Sequence, residues 1–329
     1  MQEDLVINRV HRRALAPTVA VAVGFALAAC GSSSDEGTSA EGGEAVSGAV
    51  IIDGSSTVEP LSSAAAELFM EANPDANVTV GTSGTGGGFE KFCAGETDIS
   101  DASRPIKESE IEKCNQNNIQ YSELIVANDA LSVVVNPAND WTPCLTVEQL
   151  KRMWEPASTV NNWNQVDPAF PNEPLQLFGA GSDSGTFDYF TQAINGEEGA
   201  SRTDYNPTED DNVTVQGVSA TKGALGYFGF SYLEANADTI KGVEIDGGGG
   251  CVAPSVQTAQ DGTYKPLARP LFIYVSDAAL KKPQVVAFAD FYLENNQEIV
   301  ETARFIPLTE EQLKTAREEL AAINAKAGN

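Results

Sequence analysis

Three times in this chain a strand-like run passes through a short loop of glycine and hydroxyl residues into a helical pattern. The first reads AVIIDGSSTVEPLSS from residue 49, the second VTVGTSGTGGGFEKF from 78, and the third LFGAGSDSGTFDYF from 177. Each loop sets main-chain N–H groups and Ser or Thr hydroxyls at a helix start, where amides lack intrahelical partners and the helix dipole is positive. That is where an anion binds well. One Ser or Thr ahead of a helix is usually no more than an N-cap. Three loops of one design, two of them rich in glycine, exceed what capping asks for.

The surrounding pattern is that of an α/β protein. Strand-like runs at 49–53, 77–81, 131–136, 174–179 and 269–275 alternate with helical patterns at 61–72, 146–156, 187–196 and 283–300. Leu61, Ala65, Leu68, Phe69 and Ala72 share one helical face, and Pro74 ends that helix. No repeat of fixed period runs through the chain, and GGGG at 247–250 reads as a surface turn.

The loops are not nucleotide loops, since Lys91 falls too late in GTSGTGGGFEK for a Walker A motif. Nor is GSDSG a nucleophile elbow, because it lacks the G-x-S-x-G spacing. The only histidine is His11, inside a basic N-terminal patch with Arg9, Arg12 and Arg13. The apolar run ALAPTVAVAVGFALAA follows, too short for a membrane-spanning helix of about 20 residues, and the layout is that of an export signal. It ends in Leu27-Ala28-Ala29-Cys30, which resembles a bacterial lipobox, with Cys30 as the lipidated residue after cleavage of residues 1–29. The competing reading is an ordinary signal with an accidental cysteine. Residues 30–47, nearly all Gly, Ser and acid, favour the lipobox, because they read as a flexible tether of roughly 20 to 25 Å from a membrane. A twin-arginine export route has only the Arg12-Arg13 pair to support it.

Cleavage would remove three Arg and two acids from totals of 20 and 47, leaving 17 basic and 45 acidic side chains and a net charge near −28. Nucleic acid is excluded as a partner. Loss of His11 leaves no Ser-His-Asp triad, no Cys-His pair and no histidine metal ligand. Neither a cofactor nor a metal is expected. Cys93, Cys114, Cys144 and Cys251 remain, an even count that in an exported chain means disulfides. Three connectivities are open, of which Cys93–Cys114 with Cys144–Cys251 is favoured.

A cation for the anion site is offered by TDISDASRPIK at 97–107, where Arg104 precedes Pro105 on an extended turn. Arginine suits an oxyanion bidentately; the competing reading pairs Arg104 with Asp98 or Asp101 at the surface. Asp101 carries a second possibility. A carboxylate in an anion site accepts a proton from hydrogen phosphate but repels sulfate, and so selects between them.

With these pieces together, the chain resembles the phosphate-binding lipoproteins of bacterial phosphate ABC transporters, the PstS family, and its SphX-like branch most. DGSSTVEP, VGTSGTGGGFEKFCAGETDISDASRPIK, GSDSGTFDYF, GALGYFGF and RPLFIYV carry the resemblance in this order, over nearly all of residues 49–306. It implies a type II periplasmic-binding-protein fold, two α/β lobes joined by two crossovers, with inorganic phosphate in the cleft. Carried over, the ligand set is Ser56, Thr57 and the N–H of Val58, then Ser83, then Ser184, Gly185 and Thr186. The family's arginine shortly upstream of Ser-Gly-Thr is missing here, where Phe178-Gly179-Ala180-Gly181 stands. Arg104 is expected to replace it, with Asp101 either touching phosphate or orienting Arg104. Crossovers near 131 and 267 give one lobe of residues 48–130 and 267–329 and another of 131–266, each holding one disulfide. The implied protein is not an enzyme but a monomeric receptor, anchored by lipid to the outer face of the cell membrane, that delivers phosphate to permease subunits. Alternatives are a receptor for sulfate, molybdate or arsenate, a hydrolase on the same scaffold, and a phosphate-binding surface sensor. Tyr189, Phe190, Phe228 and Phe230, with Trp141, Trp154 and Trp163, read as packing, and the acidic segment after Pro307 as a solvated helix.

Overall fold

In the computed structural model, residues 46–327 are described; the leader, Cys30 and nearly all of the tether lie outside them. Twelve strands appear in chain order: β1 (Gly48–Gly54), β2 (Ala76–Gly81), β3 (Ile99–Ala102), β4 (Tyr121–Val135), β5 (Cys144–Thr146), β6 (Gln176–Ala180), β7 (Asn206–Thr208), β8 (Ala224–Gly229), β9 (Lys241–Gly242), β10 (Glu244–Asp246), β11 (Cys251–Val252) and β12 (Ala268–Ser276). The α-helices are α1 (Glu59–Ala72), α2 (Gly84–Cys93), α3 (Glu108–Gln116), α4 (Val147–Trp154), α5 (Trp163–Val166), α6 (Gly185–Asn195), α7 (Asp211–Ala220), α8 (Phe230–Ala235), α9 (Val256–Gln260), α10 (Pro283–Glu294), α11 (Asn296–Thr302) and α12 (Glu310–Ala327). None of the described helices is long and apolar enough to cross a membrane.

The main sheet runs β2-β1-β3-β12-β4-β8-β6-β7. Its two ends are parallel, β2-β1-β3 and β8-β6-β7, as strand–loop–helix units require, and antiparallel pairings of β12 and β4 join them. β4 is the long member. Residues 121–130 pair with β12 and residues 131–135 pair with β8. The hydrophobic run LSVVV is therefore only its second half; YSELIVAND, interrupted by acids and amides, hides the first.

Each half of β4 belongs to a different core. Leu124, Val126 and Ala127 pack with Val50, Leu61, Phe69, Leu271 and Phe288, whereas Ala130, Leu131, Val133 and Val135 pack with Trp154, Trp163, Phe190 and Tyr227. The fold is thus a two-lobed α/β architecture threaded by one strand. A further segment joins them: Ile306, which follows α11, forms an antiparallel bridge to Asn128 and buries its side chain in the second core.

The disulfides pair Cys93 with Cys114 and Cys144 with Cys251. The first ties α2 to α3. The second spans the small β11-β10-β5 sheet from edge to edge. The GGGG turn is exposed as expected, and Asp246 Oδ1 accepts the N–H groups of Gly248 and Gly250.

Two helical expectations are corrected. The run at 283–300 breaks at Asn295 because Asn296 turns its side chain inward and donates to the Val126 carbonyl at 2.7 Å. The C-terminal helix α12 is not solvated all round: Ala316 and Leu320 are buried against the first core.

Candidate functional site

Loop one leaves β1 and enters α1 as Ser55-Ser56-Thr57-Val58. Ser55 N–H donates to the Asp101 carbonyl at 2.9 Å, and the Ser55 carbonyl accepts from Val58 and Glu59 at 3.1 and 3.0 Å. Thr57 N–H donates to Ser55 Oγ at 3.2 Å. Among the described residues the Ser56 amide has no partner, whereas that of Val58 is engaged and Val58 itself is fully buried.

Loop two leaves β2 and enters α2. Ser83 donates to Asp53 Oδ1 with both its N–H, at 3.1 Å, and its hydroxyl, while Lys91 Nζ stands 2.6 Å from Asp53 Oδ2. Burial works to raise the Asp53 carboxyl, but the hydrogen bonds from Lys91 and Ser83 outweigh it and hold the group below its usual range. Ser83 is thereby occupied at an exposed position. The hydroxyl of loop two that reaches the cleft is Thr85, whose Oγ1 lies 3.0 Å from Ser103 Oγ and accepts Ser103 N–H at 3.3 Å. The glycine run explains how α2 comes so near. A Cβ on Gly88 would stand 2.5 Å from Gly54 Cα, so helix and strand pack backbone to backbone.

Loop three caps α6: Ser184 Oγ accepts Thr186 N–H at 3.2 Å, and Gly196 closes the helix in the left-handed region. Gly185 meets loop one across the cleft. Thr57 Oγ1 lies 3.5 Å from the Gly185 carbonyl, and a Cβ on Gly185 would come within 2.7 Å of Thr57 Oγ1 and 3.0 Å of Thr57 N.

Cavities flank this meeting point. One, of about 370 Å³, is lined by Ser56, Thr57, Thr85, Ser103, Arg104 and Arg269. The other, of about 560 Å³, shares Ser56 and Thr57 and adds Asp129, Ser184, Gly185 and Thr186.

The cations differ from expectation. Arg104 pairs with neither Asp98 nor Asp101. Its fork grips Glu110 at 2.8 and 2.9 Å, and Asp98 is taken by Lys282 at 2.7 Å. Arg269, on β12, reaches the centre. Its Nη2 donates to Thr57 Oγ1 at 3.1 Å, its Nε stands 3.3 Å from Asp129 Oδ2, and its guanidinium lies 3.4 Å from the centroid of the Tyr189 ring. Tyr189 is therefore a support for the cation as well as packing, its hydroxyl donating to the Pro266 carbonyl at 2.9 Å.

Asp101 is fully buried and lines neither cavity. Ser62 Oγ donates to its Oδ1 at 2.8 Å, so it neither faces ligand space nor orients Arg104. Burial, reinforced by Glu59 and Asp53, pushes its carboxyl up to about 7. Asp129 is the cleft carboxylate paired with Arg269, and burial raises it against that counter-pull.

Of the residues picked from the sequence, Ser56 and Thr57 are brought together with Ser184, Gly185 and Thr186 at the larger cavity and with Arg104 at the smaller. Val58, Ser83 and Asp101 are not. Missed were Thr85, Ser103, Asp129, Tyr189 and Arg269. A signal for Arg269 existed: it precedes Pro270 just as Arg104 precedes Pro105. Asp129 offered none, lying in a run whose strand character was hidden.

A family model described as a PBP superfamily domain matches residues 39–296. The chain is 49% identical over 265 residues to Protein SphX of Synechocystis sp., covering 80% of this chain and 79% of that one. It is 38% identical over 304 residues to Phosphate-binding protein PstS of Staphylococcus saprophyticus, covering 90% and 92%. Among solved structures it is similar to a possible phosphate binding protein from Planctomyces limnophilus, with a TM-score of 0.81 and 47% identity over 84% of this chain and 99% of that one.

Proposed function

The chain belongs to the PBP superfamily and, within it, to the group of the PstS and SphX proteins, and we propose that it captures inorganic phosphate between its lobes outside the cytoplasm and hands it to an ABC-type importer. The observation that carries this reading is the meeting of Thr57 with Gly185 beside Arg269. Two helix N-termini from opposite lobes and one cation converge there, with neutral donors around them. This is how a dehydrated oxyanion is held without a metal. A relative named for phosphate binding, at 38% identity, and a solved possible phosphate binding protein, at 47%, make phosphate the first ligand to test.

In this reading the ligand set is Ser56, Thr57, Thr85, Ser103, Ser184, Gly185 and Thr186, with Arg269 as principal cation and Arg104 as a lesser one. Asp129 takes the acceptor role first given to Asp101, receiving a proton that hydrogen phosphate has and sulfate lacks. The lobes are residues 48–130 with 267–329, and 131–266, supported by the division of the cores at β4. Phosphate docks on the open lobes, and closure brings loop three onto loop one. The closed surfaces then meet permease subunits. Net acidity does not oppose capture, since exposed charges are screened beyond roughly 8 to 10 Å at physiological salt. Export, anchoring through Cys30 and action as a monomeric receptor rather than a hydrolase complete the proposal.

Calorimetric titration of residues 31–329 with phosphate and with sulfate tests it. One-to-one phosphate binding with no sulfate heat is expected. Silence toward phosphate overturns the reading.

A further inference from the structure

Behind loop one lies a carboxyl group that no cation meets among the described residues. Asp101 sits on β3 beside Gly54 of β1, and its main-chain carbonyl accepts the Ser55 N–H at 2.9 Å, so the residue is stitched to the start of the anion cradle. The side chain is fully buried. Its Oδ1 accepts from Ser62 Oγ at 2.8 Å, and its Oδ2 has no hydrogen-bond partner among the described residues. The groups that face it are Ser62 and Glu59 from α1, Asp53 from β1 and Tyr292 from α10, whose hydroxyl lies 3.4 Å from Ser62 Oγ. β12 presents Ile273 opposite it. Lys91 and Arg104 are paired with Asp53 and Glu110. Among the described residues, nothing positive offsets an ionised Asp101.

We propose that Asp101 is a positioning residue that makes phosphate affinity depend on its own proton: the neutral carboxyl supports loop one, and the ionised one sets a buried negative charge behind the cradle and weakens anion binding. This rests on the phosphate reading above. The charge acts strongly because the interior screens it poorly, and Glu59 and Asp53 add repulsion of the same sign. Burial brings the transition to about 7, within the range a cell surface meets. Coupling is reciprocal. An anion bound at loop one favours the neutral carboxyl, so capture at alkaline pH takes up a proton at Asp101.

The experiment compares the full exported chain, carrying Cys30→Ser to keep it off membranes, with the same chain carrying Asp101→Asn. The Kd for inorganic phosphate is measured from pH 5.5 to 9. Titration of phosphate itself is common to both proteins, so the ratio of their Kd values isolates Asp101. The ratio is expected to be flat below pH 6 and to move about tenfold against the parent by pH 8.5. A constant ratio, whatever its value, reports a merely structural role and overturns the inference while leaving phosphate binding intact. Should Asp101→Asn fail to fold, Ser62→Ala serves. It removes a donor that favours the ionised carboxyl, so the alkaline loss of affinity is expected at higher pH. A loss that stays in place or moves lower overturns the inference. Absence of phosphate binding by the parent at every pH overturns the functional reading and this inference with it.

Discussion

Arg269 and Asp129 stand opposite each other on neighbouring antiparallel strands, and their ion pair sits where both strands pass from one core to the other. From that place the guanidinium touches Thr57 of one lobe and Tyr189 of the other. A cation so placed contacts both lobes at once.

Arg269→Ala is therefore expected to weaken phosphate binding about 100-fold or more, the scale of a charge-assisted contact. It also strands a buried carboxylate, at a cost of about 3–5 kcal/mol. Adding Asp129→Asn separates the effects: calorimetry should show affinity still lost while thermal melting shows stability recovered. Recovery of affinity in the double variant would contradict the role given to Arg269.

Arg104→Ala should cost less, under about tenfold in Kd, because its fork is already spent on Glu110. An effect as large as that of Arg269→Ala would restore Arg104 as the principal cation.

Gly185→Ala brings a methyl group into loop one without disturbing either core. The expected outcome is a rise in Kd of about tenfold or more, near 1.4 kcal/mol, with an unchanged melting temperature. Small-angle scattering with phosphate should report a protein that stays more open than the parent.

Much of this was legible because local chemistry announced it. Gly-Ser-Thr clusters ahead of helices mark the three loops wherever the chain later carries them, and AVIID reads as a strand, although nothing in that apolar run says that Ile51 is the exposed member between buried Val50 and Ile52. Relations made only by pairing were harder to see. Ser83 looks like a ligand group until Asp53, thirty residues earlier, captures its hydroxyl. Asp101 looks like an acceptor until the β1–β3 register buries it. Arg269 had its proline signal, but nothing local says that β12 lies against β4 and points that guanidinium at Thr57.

Removing the disulfides should destabilise more for the longer stretch of chain closed, rising with the logarithm of its length. Cys144–Cys251 spans 107 residues and Cys93–Cys114 spans 21, so losses of roughly 4–5 and roughly 3 kcal/mol are expected. Chemical denaturation of the paired Cys→Ala variants measures both. The reverse ranking would count against a chain-entropy origin.

Asp211, at the start of α7 and on the wall of the larger cavity, has a carboxyl pushed up to about 6, first by burial and then by Asp210 and Glu209. Folding thus favours its neutral form. That contribution is complete below the unfolded value near 4 and disappears as pH rises through 6. Asp211→Asn should raise the melting temperature at pH 7.5 by about 2–5 °C and leave it unchanged at pH 4. An equal gain at both values would rule out titration as the cause.

The bridge from Ile306 to Asn128 adds a third ribbon to the passage between the lobes, on the free side of β4 and opposite β12. Three ribbons abreast make a strap, which flexes across its width but resists sliding in its own plane. In the proposed closure, movement of one lobe on the other is reduced to a single swing that returns Thr57 to the same glycine. In that reading, selectivity at the cleft depends in part on a hydrophobic side chain anchored in the second core.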